Sequence, residues 1–189
     1  MVVQKKLYTV EEYEEYIARP ENRERRFELI HGEIVEKMPT QKHGLVAGNF
    51  YAALWNYVKP RKLGRVGIEV RHGLKDDKHN DRIPDIAYER DMSSPVVEQG
   101  AVPRMPNIAI EVQSPDDSRR KLRDKAEYYL QNGSRLVWLA CIEDQTVDEC
   151  TLGEDGKMQT KTYSMDDELS GGEVLPGFTL PVRDIFDVE

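Results

Sequence analysis

Two cysteines in 189 residues, Cys141 and Cys150, are too few for a disulfide framework, and neither sits in a CxxC pair or a Cys/His cluster of the zinc-binding kind. No apolar run approaches the roughly 18 residues that a membrane-spanning helix needs, so no membrane partner is expected. The opening residues, MVVQKKLYTVEEYEEY, lack the apolar core of a secretory signal. Internal repeats, low-complexity tracts and long linkers are missing too. These absences point to a reducing cytoplasm and to one domain spanning residues 1–189. With 39% hydrophobic and 33% charged residues, the chain has the balance of an ordinary globular protein with a proper core.

The net charge of −8 argues at first against a nucleic-acid partner, but the charge is unevenly spread. Residues 143–189 hold 13 of the 35 acidic residues and 3 of the 27 basic ones, a net of −10; residues 1–142 keep 24 basic against 22 acidic, a net of +2. Within that part, residues 59–75 carry six Lys/Arg against one Glu, and RRKLRDK (119–125) carries five against one Asp. Such patches can hold phosphates despite an acidic total. Taken singly, each run also fits plain solvated surface charge.

Periodicity gives the elements. Thr9-Val-Glu-Glu12 is a capping box that opens a helix ending near Arg19-Pro20. FELIHGEIVEKM (27–38) alternates like a hairpin with His31-Gly32 at its turn. Apolar residues between Lys42 and Lys59 recur at helical spacing, and Pro60 is expected to end that helix. Short strands are expected at 66–74 and 83–88, a loop at 91–106, and a strand at NIAIEV (107–112). Ser114-Pro-Asp-Asp117 should then cap a helix that runs to Asn132-Gly133. LVWLA (136–140) has no alternation and belongs deep in a sheet. Further strands are expected at 146–152 and 159–163, with a short closing helix at PVRDIF (181–186). The fold class that follows is α/β of the mixed α+β kind: a mixed β-sheet flanked by helices, with an N-terminal helix and hairpin.

Two carboxylates interrupt apolar strands. In NIAIEVQSP (107–115), Ile108, Ile110 and Val112 share one face, and Ala109, Glu111 and Gln113 share the other. A buried carboxylate is costly without a cation, metal or set of donors. In IPDIA (83–87), Asp85 opens another apolar strand right after a proline. If the two strands are neighbours, Asp85 and Glu111 converge, and a divalent cation between them would relieve their repulsion. Mg²⁺ suits such a place, because it accepts one or two carboxylates, keeps several waters and works on phosphates. On the residues alone, Asp85 also fits a turn at a strand start, and Glu111 fits a buried ion pair with Lys125.

The ordered set RRFELIHGEIVE (25–36), MPTQKHG (38–44), IPDIA (83–87), IAIEVQSP (108–115), LRDKAEYYLQNG (122–133), VWL (137–139) and LPGFTLPVRDIF (175–186) resembles the Uma-type restriction-endonuclease-like branch of the PD-(D/E)xK nuclease superfamily. The likeness runs through nearly the whole chain. It implies a restriction-endonuclease-like core and a metal-dependent endonuclease acting on DNA. By the same resemblance Asp85 and Glu111 would hold Mg²⁺ or Mn²⁺, with the backbone carbonyl of Val112 as a third ligand. Glu28, in FELI, would orient water or a second ion. Gln113 stands where the superfamily usually carries lysine, and Lys125 on the following helix would replace it, sharing a face with Lys121. A homodimer would supply two sites for cutting two strands. A nuclease-fold module that only binds nucleic acid or a protein partner is the alternative.

Smaller expectations complete the reading. Glu28 also fits a surface ion pair with Arg25 or Arg26. His43 is read first as a helix cap, and Trp55, Trp138, Tyr128 and Tyr129 as core residues. Both thiols are read as buried and inert.

Overall fold

The computed structural model describes residues 6–115 and 117–189. Asp116 of the Ser114–Asp117 segment and the first five residues of the opening segment lie outside the described residues. The chain divides into two compact units: residues 1–38, 71–83 and 97–104 form one, and residues 39–70, 84–96 and 105–189 form the other.

The first unit is built on helix α1 (Val10–Ile17) and the antiparallel hairpin of β1 (Phe27–Ile30) and β2 (Glu33–Glu36). Its capping box is complete: Thr9 Oγ1 accepts from the Glu12 amide, and the Glu12 carboxylate accepts from the Thr9 amide. His31 and Gly32 both take positive φ at the hairpin turn, +49° and +80°. That is the two-residue geometry matching strand twist. Tyr13, Phe27 and Leu29 form a small core, and the Tyr13 hydroxyl donates to the Phe27 carbonyl at 2.6 Å.

The second unit carries a six-stranded sheet. Its strands are β3 (Arg65–Ile68), β4 (Ile86–Glu89), β5 (Ile108–Val112), β6 (Leu136–Cys141), β7 (Thr146–Leu152) and β8 (Met158–Tyr163), adjacent in that order. Only β5 and β6 pair in parallel; the other neighbours are antiparallel. The parallel step requires a crossover, supplied by α3 (Arg119–Gln131). All six residues of β6 are buried, as its unbroken apolar run predicts.

Helix α2 (Gln41–Arg61) places Val46, Phe50, Leu54 and Val58, each four residues on from the last, in one buried row. That row joins Ile108, Ile110, Val112 and Trp138 in the main core, where Phe50 and Trp138 stack at 6.1 Å. The short pair β9 (Glu168–Ser170) and β10 (Thr179–Pro181) and the helix α4 (Val182–Phe186) complete the same core.

Several boundaries differ from the sequence expectation. Helix α2 continues through Pro60, since a proline in the last turn costs one backbone donor, and stops at Lys62 with φ +54°. Strand β3 ends at Ile68 because Glu69 adopts φ +49°. Strand β4 starts only at Ile86, after Pro84, which has no N–H for a ladder. The α3 cap is Ser118, which accepts from the Lys121 amide. Trp55 is 37% exposed, stacked at 5.6 Å on Tyr51 rather than buried.

Candidate active site

Strand pairing sets the two interrupting carboxylates at the ends of neighbouring strands. Strands β4 and β5 pair antiparallel as far as Ile86 with Ile110, and Asp85 and Glu111 each lie one residue beyond that rung. Just past the ladder's end, Asp85 Oδ2 accepts from the Val112 amide at 2.7 Å. A side chain thus replaces main chain in the next bond and fixes the carboxylate to the end of β5. The second contact of Asp85 comes from α2, where His43 Nε2 lies 3.2 Å from the same oxygen. Facing a carboxylate, that nitrogen carries the proton.

Glu111 has a separate set of partners. The main-core face of β5 takes Ile108, Ile110 and Val112, so Ala109 and Glu111 turn to the face packed by α3. On α3, Lys125 and Tyr129 are four residues apart and share a face. Lys125 Nζ donates to Glu111 Oε2 at 2.9 Å, and the Tyr129 hydroxyl donates to Oε1 at 2.7 Å. Glu111 is 1% exposed and Lys125 9%, so this is a desolvated ion pair. Its desolvation cost is offset only because both carboxylate oxygens receive donors. The buried-pair reading of Glu111 and Lys125 is therefore present in the geometry.

Gln113 follows β5 and is also buried. Its side-chain amide donates to the Asp117 carbonyl at 3.3 Å, which turns Oε1 the other way. That oxygen is buried and has no hydrogen-bond partner among the described residues. Buried acceptors are rarely left so; each calls for a donor or a cation.

Glu28 belongs to the other unit. It is 1% exposed, on β1, and accepts from the Ile83 amide at 2.7 Å. Burial rules out the surface carboxylate of the sequence reading, and Arg25 pairs instead with Glu36 through two bonds of 2.8 and 2.5 Å. His43 is likewise not the cap of its helix. Thr40 takes that role, and the His43 ring instead reaches Asp85. Lys121 is exposed while Lys125 is buried. The sequence reading also passed over Tyr129 as plain core. Its i+4 spacing from Lys125 was the available signal.

Among the described residues, no group of three or more His, Cys, Asp or Glu converges so as to hold a metal ion. Asp85 and Glu111 are two oxygen-donor side chains, and the unsatisfied Gln113 Oε1 is a further buried oxygen at the end of the same strand. An all-oxygen set with only two carboxylates fits Mg²⁺, which keeps waters in its other positions. It does not fit zinc, which prefers nitrogen and sulfur. The basic runs are partly engaged within the chain. Arg119 pairs with Asp144 and Asp148, Arg71 with Asp81 and Glu14, and Arg65 donates to the carbonyls of Met92 and Ser94. No helix among the described residues is long and apolar enough to cross a membrane.

Comparison with known proteins agrees with this architecture. No curated protein matches the chain. A solved structure from Anabaena variabilis, described as a "putative nuclease belonging to DUF820", superposes with a TM-score of 0.77 at 23% identity. The match covers 94% of this chain and 97% of that one, and shows that the two share a fold. The family model Uma2, described as "Putative restriction endonuclease", matches residues 10–183. With nearly its whole length matched, the chain belongs to the Uma2 family of the PD-(D/E)xK-like nucleases.

Proposed function

We propose that the protein is a cytoplasmic Mg²⁺- or Mn²⁺-dependent endonuclease that hydrolyses DNA phosphodiester bonds. What supports this reading is the placement of two buried carboxylates, Asp85 and Glu111, at the ends of neighbouring strands, with a buried ammonium bonded to Glu111. Asp85 and Glu111 would hold the ion, with the Val112 carbonyl as the backbone ligand. Bound there, a divalent ion supplies Lewis acidity, acidifying water and offsetting the charge that grows on phosphate.

The chain's own groups do the rest. The Val112 amide and His43 fix Asp85, so that its carboxylate needs no reorganisation when substrate arrives. Tyr129 holds Glu111 from the far side. Lys125 supplies the positive charge that the superfamily draws from the position of Gln113. Gln113 Oε1, a buried acceptor at the end of β5, would accept a hydrogen bond from the attacking water and orient it. Glu28, held by the Ile83 amide, would keep a structural role within its own unit. The basic residues that remain exposed in 59–75 and 119–125 draw in the DNA backbone. The single family match over residues 10–183 supports treating 1–189 as one domain. A homodimer would present one site to each strand.

A second reading is favoured by two observations: the described residues offer no three-member ligand group, and Gln113 stands where the superfamily usually carries lysine. It makes the protein a nuclease-fold module that binds nucleic acid or a protein without cutting. Plasmid DNA incubated with wild type, Asp85→Ala and Lys125→Ala proteins, with Mg²⁺, Mn²⁺ or chelator, separates the two. Cutting by wild type alone, abolished by chelator, is the expected result. Equal cutting by all three proteins would sink the active-site assignment, and binding without cutting would favour the module.

A further inference from the structure

The first unit contains a cleft of about 300 Å³ that the proposed chemistry does not use. Its walls come from the segment before α1, from α1, and from the β1–β2 hairpin: Tyr8, Tyr16 and Phe27 supply rings, while Lys6, Arg25 and Glu33 supply charge. Tyr16 and Phe27 meet edge to face at 5.2 Å. Lys6 Nζ sits 4.6 Å from the centre of the Tyr8 ring, the Arg25 guanidinium 4.8 Å from that of Phe27, and the Arg19 guanidinium 5.3 Å from that of Tyr16.

This arrangement selects among ligands. Each ring already carries a cation of the chain, so a cationic guest such as a quaternary ammonium would meet like charge where an aromatic cage should attract it. Arg25 is tied to Glu36 by two bonds and to Asn22 Oδ1 at 3.0 Å, which holds its guanidinium flat and in place. Fixed guanidinium planes and aromatic rings are both surfaces on which planar bases stack. Ile34 adds an apolar wall, and Glu33 adds acceptors for the amino edge of a base. At the rim, the mostly exposed ammonium of Lys6 bridges to Glu12 at 3.0 Å and carries the charge a phosphate would meet.

We propose that this cleft is a binding site for one unpaired nucleobase of a DNA strand, with Lys6 against its phosphate. The inference rests on the reading of DNA as substrate and sharpens it. A base inside a duplex is stacked and paired, so a pocket for a single base selects DNA with an unpaired or everted nucleotide.

The test uses the full chain, without divalent ions, and a short single-stranded oligodeoxynucleotide carrying a fluorescent aminopurine base. Seating of the base quenches its fluorescence in the wild type. Tyr8→Leu and Lys6→Glu proteins, with unchanged melting temperatures, bind that strand roughly five- to a hundredfold more weakly and lose the quench, while duplex binding is unchanged. Lys6 is a surface residue, so Lys6→Glu keeps the test valid if Tyr8→Leu proves unstable. Equal affinity of wild type and both variants for the single strand, or equal losses on duplex, would overturn the proposal. Because the measurement needs no cleavage, a protein that never cuts DNA can still pass it, and one that cuts can still fail it.

Discussion

Lys125 Nζ lies 2.9 Å from Glu111 Oε2 in a place that water hardly reaches, and the Tyr129 hydroxyl takes the other carboxylate oxygen. The same three groups answer why a charged residue interrupts an otherwise apolar strand. They also make its removal costly in two separable ways, through stability and through activity.

Stability comes first. Lys125→Met leaves the Glu111 carboxylate buried without its cation, and such breaks cost roughly 3–5 kcal/mol. Changing both partners, Glu111→Gln with Lys125→Met, removes the orphaned charge and recovers much of that loss. Urea unfolding of the two single variants and the double variant measures the coupling. Additive losses would show that the pair contributes nothing as a pair.

His43 offers a positioning test. His43→Leu deprives the buried Asp85 carboxylate of one donor, which costs roughly 1.5–3 kcal/mol for a hydrogen bond to a charged group. His43→Gln keeps a donor and should restore most of the stability. If His43 only positions Asp85, the Gln variant also keeps its cleavage rate. A Gln variant as damaged as Leu would show that His43 does more than donate one bond.

Much of this arrangement can be read from the chain alone, and the unread part has physical causes. Elements set by local signals were legible: the Thr9 capping box, the His31-Gly32 turn, and the buried run of β6. That Asp85 and Glu111 stand at the ends of neighbouring strands was legible as a condition, since it required only that β4 and β5 pair. What the sequence hid was tertiary choice. Nothing local tells that the His43 ring turns to Asp85 rather than capping its helix, or that Glu28 is sealed under the Ile83 amide. Pro60 and Glu69 likewise placed boundaries by backbone conformations that periodicity does not encode.

The two thiols predict a pH response. Burial raises both, and it pushes Cys150 up to about 11 from an ordinary value near 9. The folded state therefore holds the Cys150 proton more tightly than the unfolded chain does. This contribution to stability is complete below pH 9 and is lost as the pH climbs through 11. Urea midpoints should fall between pH 8.5 and 10.5, and fall less in Cys150→Ala. Alkylation of native protein should be slow at neutral pH and become fast in urea. Rapid labelling of the folded chain would contradict the burial of both sites.

The last prediction concerns the residue in which this chain departs from its superfamily. If the reaction needs one ammonium near Glu111, its position is interchangeable and its presence is not. Lys125→Gln should then abolish plasmid nicking. It should also destabilise the fold, because Glu111 loses the buried ammonium it is paired with. Adding Gln113→Lys to that variant returns an ammonium to the end of β5, at the loss of the weak 3.3 Å bond to the Asp117 carbonyl. The double variant should regain a measurable part of the nicking rate, whereas Gln113→Lys alone crowds two ammonium groups beside one carboxylate and should gain nothing. Nicking rates of the three proteins, taken at equal folded fraction by urea titration, decide the matter. No recovery in the double variant would mean that the helical lysine serves the carboxylate's burial and not the chemistry.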